Sequence, residues 1–209
     1  LVGGETSVQP QVVEKGVYIL TSSIAGIISK KAVIDGSAIC EGDAVLAVAS
    51  NGLHTNGYSL VRMLMDRMPQ MKLDKVAGET FIEQIMKPHT PYYKAIQKIS
   101  DKVSGMAHIT GGGIEGNLCR IIPDGMCAEI ELPQIRVLPV FSYMKRMGNI
   151  EDEEMLSTFN CGVGLIIVVS QEKKEEVMQS VGACHDCYEI GKITAGQKKV
   201  TFRGKMKFV

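Results

Sequence analysis

Three consecutive glycines, Gly111–Gly113, are the residues with the clearest chemical use, and they follow a short apolar strand that contains His108. Each glycine loses more backbone freedom on folding than any other residue, and an ordinary turn needs only one. Glycines are useful where backbone amides approach an anion with no Cβ in the way. A predicted helix over residues 114–122 would point its unpaired amides at the same place. The pattern predicts a phosphate site, and a plain strand-to-helix turn is the alternative.

Two histidines, His54 and His108, occupy the same kind of position, where a buried strand leads through a loop into a helix. In sheets with helical crossovers, ligands collect at the carboxyl ends of strands. Thr55 or Asn56 is expected to cap the helix after the first loop, which would leave His54 beside its positive end. A helix end disfavours a nearby positive charge, so this imidazole would stay neutral and able to accept a proton. The alternative for each histidine is a purely structural role.

The other polar residues have a weaker context. Asn160 precedes a buried strand, and it lies at the same edge as the two histidines if that strand runs antiparallel to its neighbours. Cys161 has no base nearby in the sequence, so a structural role is expected. The segment 184–187, Cys-His-Asp-Cys, resembles a metal motif, but a zinc site needs further ligands at suitable spacing. We expect no metal there, and we expect His89 and His185 to be structural.

The composition excludes several classes of partner. The chain has 209 residues with 23 basic and 23 acidic side chains, so there is no electrostatic case for non-specific binding to nucleic acid or to a membrane. No apolar run approaches the length of about 18 residues that a membrane span needs. The six cysteines are scattered through apolar segments with no secretory signal, which indicates reduced thiols in a cytoplasmic protein. Because the chain begins without Met, we expect it to be part of a longer protein.

The elements that must position these residues alternate between apolar strands and amphipathic helices, and no linker or repeat divides them. The sequence predicts one compact mixed α/β domain. Residues 12–30 are predicted to form a hairpin or two extended strands. Further strands are predicted at 44–49, 103–109, 126–131, 162–169, 188–193 and 198–203, and helices at 60–68, at 79–102 with breaks at Pro88 and Pro91, and at 114–122, 140–147 and 171–181.

Several motifs, taken in order along the chain, resemble the carboxyl-terminal part of the phosphoribosylformylglycinamidine cyclo-ligase family, also called AIR synthetases. No single motif decides the resemblance, but the ordered set covers nearly the whole chain and is specific. The sequence departs from the family at Ser7–Pro10, where the family usually has Met-Pro-Gly and only the proline is kept. The resemblance therefore does not predict which contacts this loop makes. The motifs are 1–6 (LVGGET), 34–36 (IDG), 42–43 (GD), 54–62 (HTNGYSLVR), Pro88 with Thr90 and Tyr92, 107–113 (AHITGGG), 148–149 (GN), and 154–155 (EM) followed by 158–164 (TFNCGVG).

The resemblance implies a fold, an activity and cofactors. The fold would be α/β (α+β mixed), a three-layer α/β/α domain with a mixed sheet over residues 12–209, and residues 1–11 would be a remnant of an inter-domain segment. The activity would be an ATP-dependent ring closure in purine biosynthesis, which converts formylglycinamidine ribonucleotide to aminoimidazole ribonucleotide, ADP and phosphate. ATP and Mg²⁺ would be bound mostly by an amino-terminal domain that this chain lacks, and that domain would also form the interface of a homodimer.

The resemblance also implies roles for individual residues. His54 and His108 would act on the reacting amidine and formyl groups, as proton shuttles or as hydrogen-bond donors. The remaining roles would be phosphate binding by Thr110, Gly111, Gly112 and Gly113, substrate orientation by Asn56 and Asn160, and contact with the nucleotide side of the cleft by Gly4, Glu5 and Thr6. The resemblance assigns no residue of this chain to a metal.

Two alternative functions stay open. Selenophosphate synthetases, thiamine monophosphate kinases and hydrogenase-maturation proteins share the architecture and the use of ATP, although the segments 54–59 and 158–164 favour the cyclo-ligase. Alternatively, the chain on its own is a substrate-binding domain without catalytic activity.

Overall fold

The computed structural model of the chain describes residues 3, 14 and 16–208, and the chain divides into two units, residues 1–31 and residues 32–209. In the first unit, the described residues 16–29 form no strand, so the hairpin or strand pair predicted over 12–30 is wrong where the structure describes it. A strand needs a hydrogen-bonded partner along its edge, and the described part of this segment has none. The domain boundary predicted between residues 11 and 12 lies outside the described residues. Exposed apolar side chains in the described part include Val17, Tyr18, Ile19, Leu20, Ile24, Ile27 and Ile28.

A mixed sheet organises the second unit. Its strands are β1 (Ala44–Ala49), β4 (Gly105–His108), β5 (Met126–Glu131), β6 (Val163–Val169), β7 (Cys187–Ala195) and β8 (Lys199–Arg203), and a separate two-stranded pair consists of β2 (Lys75–Val76) and β3 (Glu79–Thr80). The order in the large sheet is β4–β6–β1–β7–β5–β8. All neighbours are antiparallel except β5 and β8, which are parallel.

Helices lie on both faces of the large sheet, because its central strands are apolar on both faces. They are α1 (Tyr58–Arg67), α2 (Phe81–Ile85), α3 (Tyr93–Gln97), α4 (Gly113–Leu118), α5 (Pro139–Gly148), α6 (Asp152–Thr158) and α7 (Lys174–Gly182). Val45 and Ala47 of β1 belong to the larger core, which α1, α2, α4, α5 and α6 cover. Leu46 and Val48 belong to a smaller core, which α3 and α7 cover. The three-layer α/β/α arrangement with a mixed sheet is therefore confirmed.

Among the described residues, no helix combines the length and the apolar character that crossing a membrane requires.

Most predicted elements of the second unit are confirmed, with four differences. The helical region predicted over 79–102 contains only the short helices α2 and α3, and its first two residues form β3. The pair of β2 and β3 is not among the predicted elements. The helix predicted over 114–122 ends at Leu118, because Gly116 and Asn117 are poor helix formers and the Asn117 side chain binds the preceding loop instead. Helix α6 is not among the predicted elements. Its first turn nevertheless carries the acidic residues that are typical of helix starts, Asp152, Glu153 and Glu154.

The strand directions bring three loops to one edge of the sheet. β6 is antiparallel to both β1 and β4, so its amino end lies beside their carboxyl ends, as the sequence hypothesis for Asn160 requires. The register pairs Ala49 with Val163 and His108 with Leu165. The loops after β1 and β4 and the loop before β6 therefore meet at this edge.

Ile166, in the middle of β6, has no exposed surface and belongs to the larger core. We expect Ile166→Ala to lower the free energy of unfolding by about 2–5 kcal/mol, the range for truncating a buried aliphatic side chain. Urea denaturation measures this change. Leu73→Ala is the control, because Leu73 is 76% exposed and its truncation should change the free energy by no more than about 0.5 kcal/mol. Equal effects of the two substitutions would contradict the placement of Ile166.

Candidate functional site

The buried side-chain amide of Asn160 ties two of the loops together. Its Oδ1 accepts hydrogen bonds from Ser50 Oγ at 2.9 Å and from the Gly162 amide at 2.8 Å, and its Nδ2 donates to the Gly52 carbonyl at 2.9 Å. Only 1% of Asn160 is exposed. The loop after β1 is thereby fixed to the loop before β6. A direct contact between Asn160 and a substrate stays a prediction.

The loop after β1 holds His54 in a strained backbone conformation. His54 and Thr55 have φ angles of 51° and 67°, in the left-handed region that residues other than glycine rarely adopt. Thr55 Oγ1 and Asn56 Nδ2 donate to the His54 carbonyl at 2.5 and 2.8 Å. The prediction that Thr55 or Asn56 caps α1 is therefore wrong. The cap residue is Gly57, with a φ angle of 75° and no side-chain hydrogen bond to the helix end.

The shortest hydrogen bond of the His54 ring favours one tautomer. Asn51 Nδ2 donates to the Pro88 carbonyl at 2.9 Å, which leaves Asn51 Oδ1 for the His54 ring. His54 Nε2 lies 2.8 Å from that oxygen and donates its proton to it. The backbone amides of Asn51 and Thr90 also donate towards Nε2, at the longer distances of 3.3 and 3.4 Å, and these two contacts favour the other tautomer. In the tautomer that the shorter contact favours, the lone pair is on Nδ1. This buried nitrogen has no hydrogen-bond partner among the described residues.

His89 contacts both His54 and His108. Its ring stacks on that of His54, with the centroids 4.0 Å apart and the planes at 26°. Its Nδ1 donates to the Thr90 carbonyl at 2.9 Å, and its Nε2 lies 3.1 Å from His108 Nε2. The three imidazoles therefore form one cluster, here called the histidine cluster. No local signal in the sequence indicates that His89 belongs to it, because the contacts connect loops that are distant along the chain.

Tyr92 and Gly164 shape the space beside these rings. Tyr92 Oη donates to the Ala49 carbonyl at 2.8 Å, at the end of β1, and the ring lies edge-on to His54 with the centroids 6.0 Å apart. A Cβ atom on Gly164 would lie 1.9 Å from Tyr92 Oη and 2.9 Å from His54 Cε1. Strand β6 therefore needs glycine at this position, because any side chain would displace both rings.

Burial favours the neutral form of His54, and partial burial has the same effect on the more exposed His108. The pKa of His54 is lowered to about 4. Burial is the largest cause, and the charges of His89 and His108 lower it further. Burial, followed by the charge of His89, also lowers the pKa of His108 below its ordinary value. The predicted neutrality of His54 is confirmed. Its cause is the loss of water around the ring rather than the end of a helix.

The three consecutive glycines meet different structural needs. Gly112 and Gly113 have φ angles of 92° and 61°, whereas Gly111 has no positive φ. A Cβ atom on Gly113 would lie 1.7 Å from the Leu156 carbonyl oxygen of α6, so no side chain fits there. A Cβ atom on Gly111 would meet nothing closer than Asn56 Oδ1, at 3.9 Å. Neither packing nor backbone conformation requires glycine at position 111, which is the pattern expected where a ligand approaches the backbone.

Two asparagines hold the glycine loop, residues 110–113. Asn56 Oδ1 accepts from the Gly111 amide at 3.1 Å, so Asn56 connects this loop to the His54 loop. Asn117 Nδ2 donates to the Gly113 carbonyl at 2.7 Å, and its Oδ1 accepts from Thr110 Oγ1 at 3.0 Å. The loop is therefore held from behind by Asn117, a residue that no sequence motif indicates. Because α4 has only six residues, its end adds less to an anion site than the longer predicted helix would.

The thiols near this edge are unreactive. Burial raises the pKa of Cys161 to about 12, and its Sγ donates to the Met155 carbonyl at 3.4 Å. Burial also raises the pKa of Cys187 to about 11. Next to Cys187, Asp186 binds Arg136 Nη1 with both carboxylate oxygens, at 2.7 and 2.6 Å. Both thiols therefore stay protonated at neutral pH, as the structural role expected for Cys161 requires.

Gly4, Glu5 and Thr6, predicted to face a nucleotide, lie outside the described residues. A shallow groove of about 370 Å³ lies over β5 and β7, away from the histidine cluster. It is lined by Glu129, Glu131, Gln134, Glu189, Ile190, Gly191 and Lys192, none of which is a predicted site residue. The convergent polar groups are those of the histidine cluster and the glycine loop.

The chain has relatives among known proteins. Residues 41–203 match the family described as AIR synthase related protein, C-terminal domain. A phosphoribosylformylglycinamidine cyclo-ligase of Methylobacillus flagellatus is 43% identical over 198 residues, which cover 93% of this chain and 57% of that protein. A protein of the same name from Bifidobacterium longum subsp. infantis is 38% identical over 202 residues, which cover 93% of this chain and 59% of that protein. The chain therefore spans less than two thirds of the length of these curated relatives.

The fold is also similar to a solved structure. Thiamine-monophosphate kinase from Stenotrophomonas maltophilia superposes with a TM-score of 0.57 and 13% sequence identity, over 86% of this chain and 56% of that one. At this identity the likeness concerns the fold alone.

We expect the stability of the protein to fall as the pH decreases from about 6.5 to about 4. The ordinary pKa of a histidine, 6.5, applies to the unfolded chain, whereas burial lowers the pKa of His54 to about 4 in the folded protein. The unfolded state therefore binds more protons in this window, and the loss of stability reaches about 3 kcal/mol. Urea denaturation at a series of pH values, with a chelator present, measures it. In His54→Gln this part of the pH dependence should disappear, and identical pH profiles for the two proteins would contradict the low pKa.

Gly113→Ala should destabilise the domain by about 2–4 kcal/mol, because the new Cβ overlaps the Leu156 carbonyl and the backbone is left-handed. Gly111→Ala, two positions away, is the matched control, and we expect a change of no more than about 1 kcal/mol. Thermal and urea unfolding of both variants measure the difference. Similar losses in the two variants would show that the close approach of the glycine loop to α6 is incorrect.

Proposed function

Because the chain belongs to the family of AIR synthase related proteins, as the C-terminal domain, we propose that it forms the substrate-binding part of a phosphoribosylformylglycinamidine cyclo-ligase. The observation that carries the proposal is the meeting of neutral imidazoles and a glycine loop at one edge of the sheet. The 43% identity with a cyclo-ligase supports this substrate over those of other proteins with the same fold. The whole protein would use ATP to form the ring of aminoimidazole ribonucleotide, a step of purine biosynthesis.

The glycine loop would bind the 5′-phosphate of formylglycinamidine ribonucleotide. Gly111 and Gly112 present backbone without side chains, and the hydroxyl of Thr110 lies beside them, held by Asn117. An anion at a helix end typically gains about 0.3–1 kcal/mol, and the short α4 favours the lower part of this range. The loop would therefore position the phosphate, and the affinity for the ribonucleotide would depend on contacts along the rest of the substrate.

The histidine cluster would act on the reacting groups. ATP phosphorylates the formyl amide oxygen; an amidine nitrogen then attacks the formyl carbon, and phosphate leaves with the electrons of the carbon–oxygen bond. The attacking nitrogen loses one proton, which a neutral imidazole can accept. We assign this proton to His108, which is exposed at the edge of the sheet. His54, with a pKa of about 4, would orient the substrate as a neutral hydrogen-bonding group.

The nucleotide and magnesium would bind outside the histidine cluster. Mg²⁺ prefers six oxygen ligands, so three imidazoles fit it poorly. Glu5 and Thr6 would contribute on the nucleotide side, together with residues of the whole protein that this chain does not include. The whole protein would act as a homodimer in the cytoplasm, where the six free thiols stay reduced.

Calorimetric titration of this chain with formylglycinamidine ribonucleotide tests the proposal, with ribose 5-phosphate and inorganic phosphate as comparison ligands. We expect binding that requires the phosphate and is strongest for the full ribonucleotide. Gly111→Val should weaken it at least about tenfold, or about 1.4 kcal/mol, because a branched side chain covers the backbone without straining it. Gly116→Ala is the matched control, since a Cβ there meets nothing within 4 Å. No heat with any of the three ligands, or equal affinities for both variants, would contradict the phosphate site.

Turnover assays separate the proposed function from its two alternatives. We expect ATP-dependent ring closure only when the remaining part of the protein is supplied. Ring closure by this chain alone would contradict a role limited to substrate binding. Preferential binding of thiamine monophosphate over the ribonucleotide would instead favour a kinase of the same fold.

A further inference from the structure

We propose that His54, His89 and His108 form a binding site for one divalent cation of the zinc class, a borderline-soft ion that accepts imidazole ligands. One ring nitrogen from each of the three side chains lies within 4.8 Å of the others. In the part of the chain that the structure describes, this is the one group of three such side chains close enough to share an ion. The proposed ring closure does not require this ion. A bound ion would occupy ring lone pairs that the ring closure uses at His54 and His108, so the ion and the reacting groups of the substrate would compete for this cluster.

The separations fit a shared ion after a small movement. Two nitrogens bound to one tetrahedral Zn²⁺, each at about 2.0–2.1 Å, lie about 3.3 Å apart. His89 Nε2 and His108 Nε2 are already 3.1 Å apart. The His54 nitrogen has to approach by no more than about 1.5 Å, the difference between 4.8 Å and about 3.3 Å. The stacked rings of His54 and His89 have to tilt so that both lone pairs point at the ion.

Hydrogen bonds outside the cluster favour ring tautomers that a metal can use. Metal-binding histidines usually donate their second ring N–H to a carbonyl or a carboxylate. His89 Nδ1 donates to the Thr90 carbonyl at 2.9 Å, which leaves the lone pair on Nε2. At His54 the shortest contact, 2.8 Å from Nε2 to Asn51 Oδ1, favours a lone pair on Nδ1, whereas two longer contacts from backbone amides favour the other tautomer. His89 is therefore oriented for a metal before any ion binds, and His54 is so in one of its two tautomers.

The unpaired nitrogen of His54 is the observation that hydrogen bonding alone does not explain. A hydrogen bond from His108 to His89 accounts for their short contact, but it leaves His54 Nδ1 without a partner among the described residues. Only 2% of His54 is exposed, and a buried polar atom without a partner is destabilising. A cation bound by this nitrogen would satisfy it.

The number of imidazoles also suits a zinc-class ion. Three imidazoles leave the fourth position of a tetrahedral ion open for water or for an anion. His108 precedes the glycine loop in the chain, so a bound cation would add positive charge close to the proposed phosphate site.

Titration of this chain with Co²⁺, a spectroscopic substitute for Zn²⁺, tests the proposal without any ribonucleotide. We expect saturable binding of one ion per chain, with the visible absorption of a four-coordinate cobalt site, and displacement of the cobalt by Zn²⁺. His89→Gln removes one ligand and should weaken binding at least about tenfold, because even outer-shell substitutions typically cost 10–100-fold. His108→Gln is a second variant at an exposed ring, and circular dichroism of both variants verifies that they fold.

Two control variants separate the histidine cluster from other ligands. His185→Gln removes a histidine whose ring lies 5.1 Å from that of Tyr92 but which is not part of the cluster. Cys184→Ser combined with Cys187→Ser removes the nearby thiols. We expect neither control to change the affinity for Co²⁺.

Several outcomes would overturn the metal site. They are the absence of saturable binding, an unchanged affinity in both cluster variants, a thiolate-to-cobalt charge-transfer band, or loss of binding in either control. Because the titration contains no ribonucleotide, none of these outcomes bears on the proposed function. Conversely, failure of the calorimetric titration with ribonucleotide would not affect the cobalt result.

Discussion

The buried amide of Asn160 is the interaction on which the rest of the site depends. Pairing of β1 with β6 brings two loops together that are separated by 110 residues in the chain, but strand pairing does not fix loop conformation. The amide does so, because all three of its hydrogen bonds go to groups in those loops. A fully satisfied buried polar group specifies one arrangement, whereas its removal would leave Ser50 and the Gly162 amide unpaired in the interior. The position of His54 follows from this constraint.

His54 is buried in loops that the surroundings hold tightly, and this accounts for its strained backbone and for its low pKa. Left-handed backbone at residues other than glycine costs about 1–3 kcal/mol each and persists only where the surroundings determine it. His54, Thr55 and Cys161 all have such φ angles, and all three lie in the loops that Asn160 joins. The same burial removes water from the imidazole and lowers its pKa to about 4. A ring in this state cannot supply a permanent positive charge to a phosphate. The backbone of the glycine loop is better suited to that task, and the imidazoles to proton transfer and to lone-pair donation.

Much of the fold and the edge of the site could be predicted because their signals are local. The apolar run of β1 and the loop that follows it are contiguous in the chain, and so are β4 and its glycines. The contact of His89 with His108 could not be predicted, since it depends on how the loop before α3 packs against the end of β4. The predicted cap of α1 is wrong for a different reason. Thr and Asn side chains that cap helices also bind their own backbone in turns, and here both bind the His54 carbonyl.

The three consecutive glycines are present for two different reasons. Two of them meet needs of the fold, and only Gly111 supports a phosphate site. Gly112 and Gly113 are explained by left-handed backbone and by the close approach to α6, so they would be glycine with or without a ligand. Gly111 alone lacks such an explanation. Its importance comes from its partner, because Asn56 accepts from the Gly111 amide and donates to the His54 carbonyl. An anion that attracts the Gly111 amide would therefore act on the His54 loop through one side chain, and substrate binding would be coupled to the position of the histidine cluster.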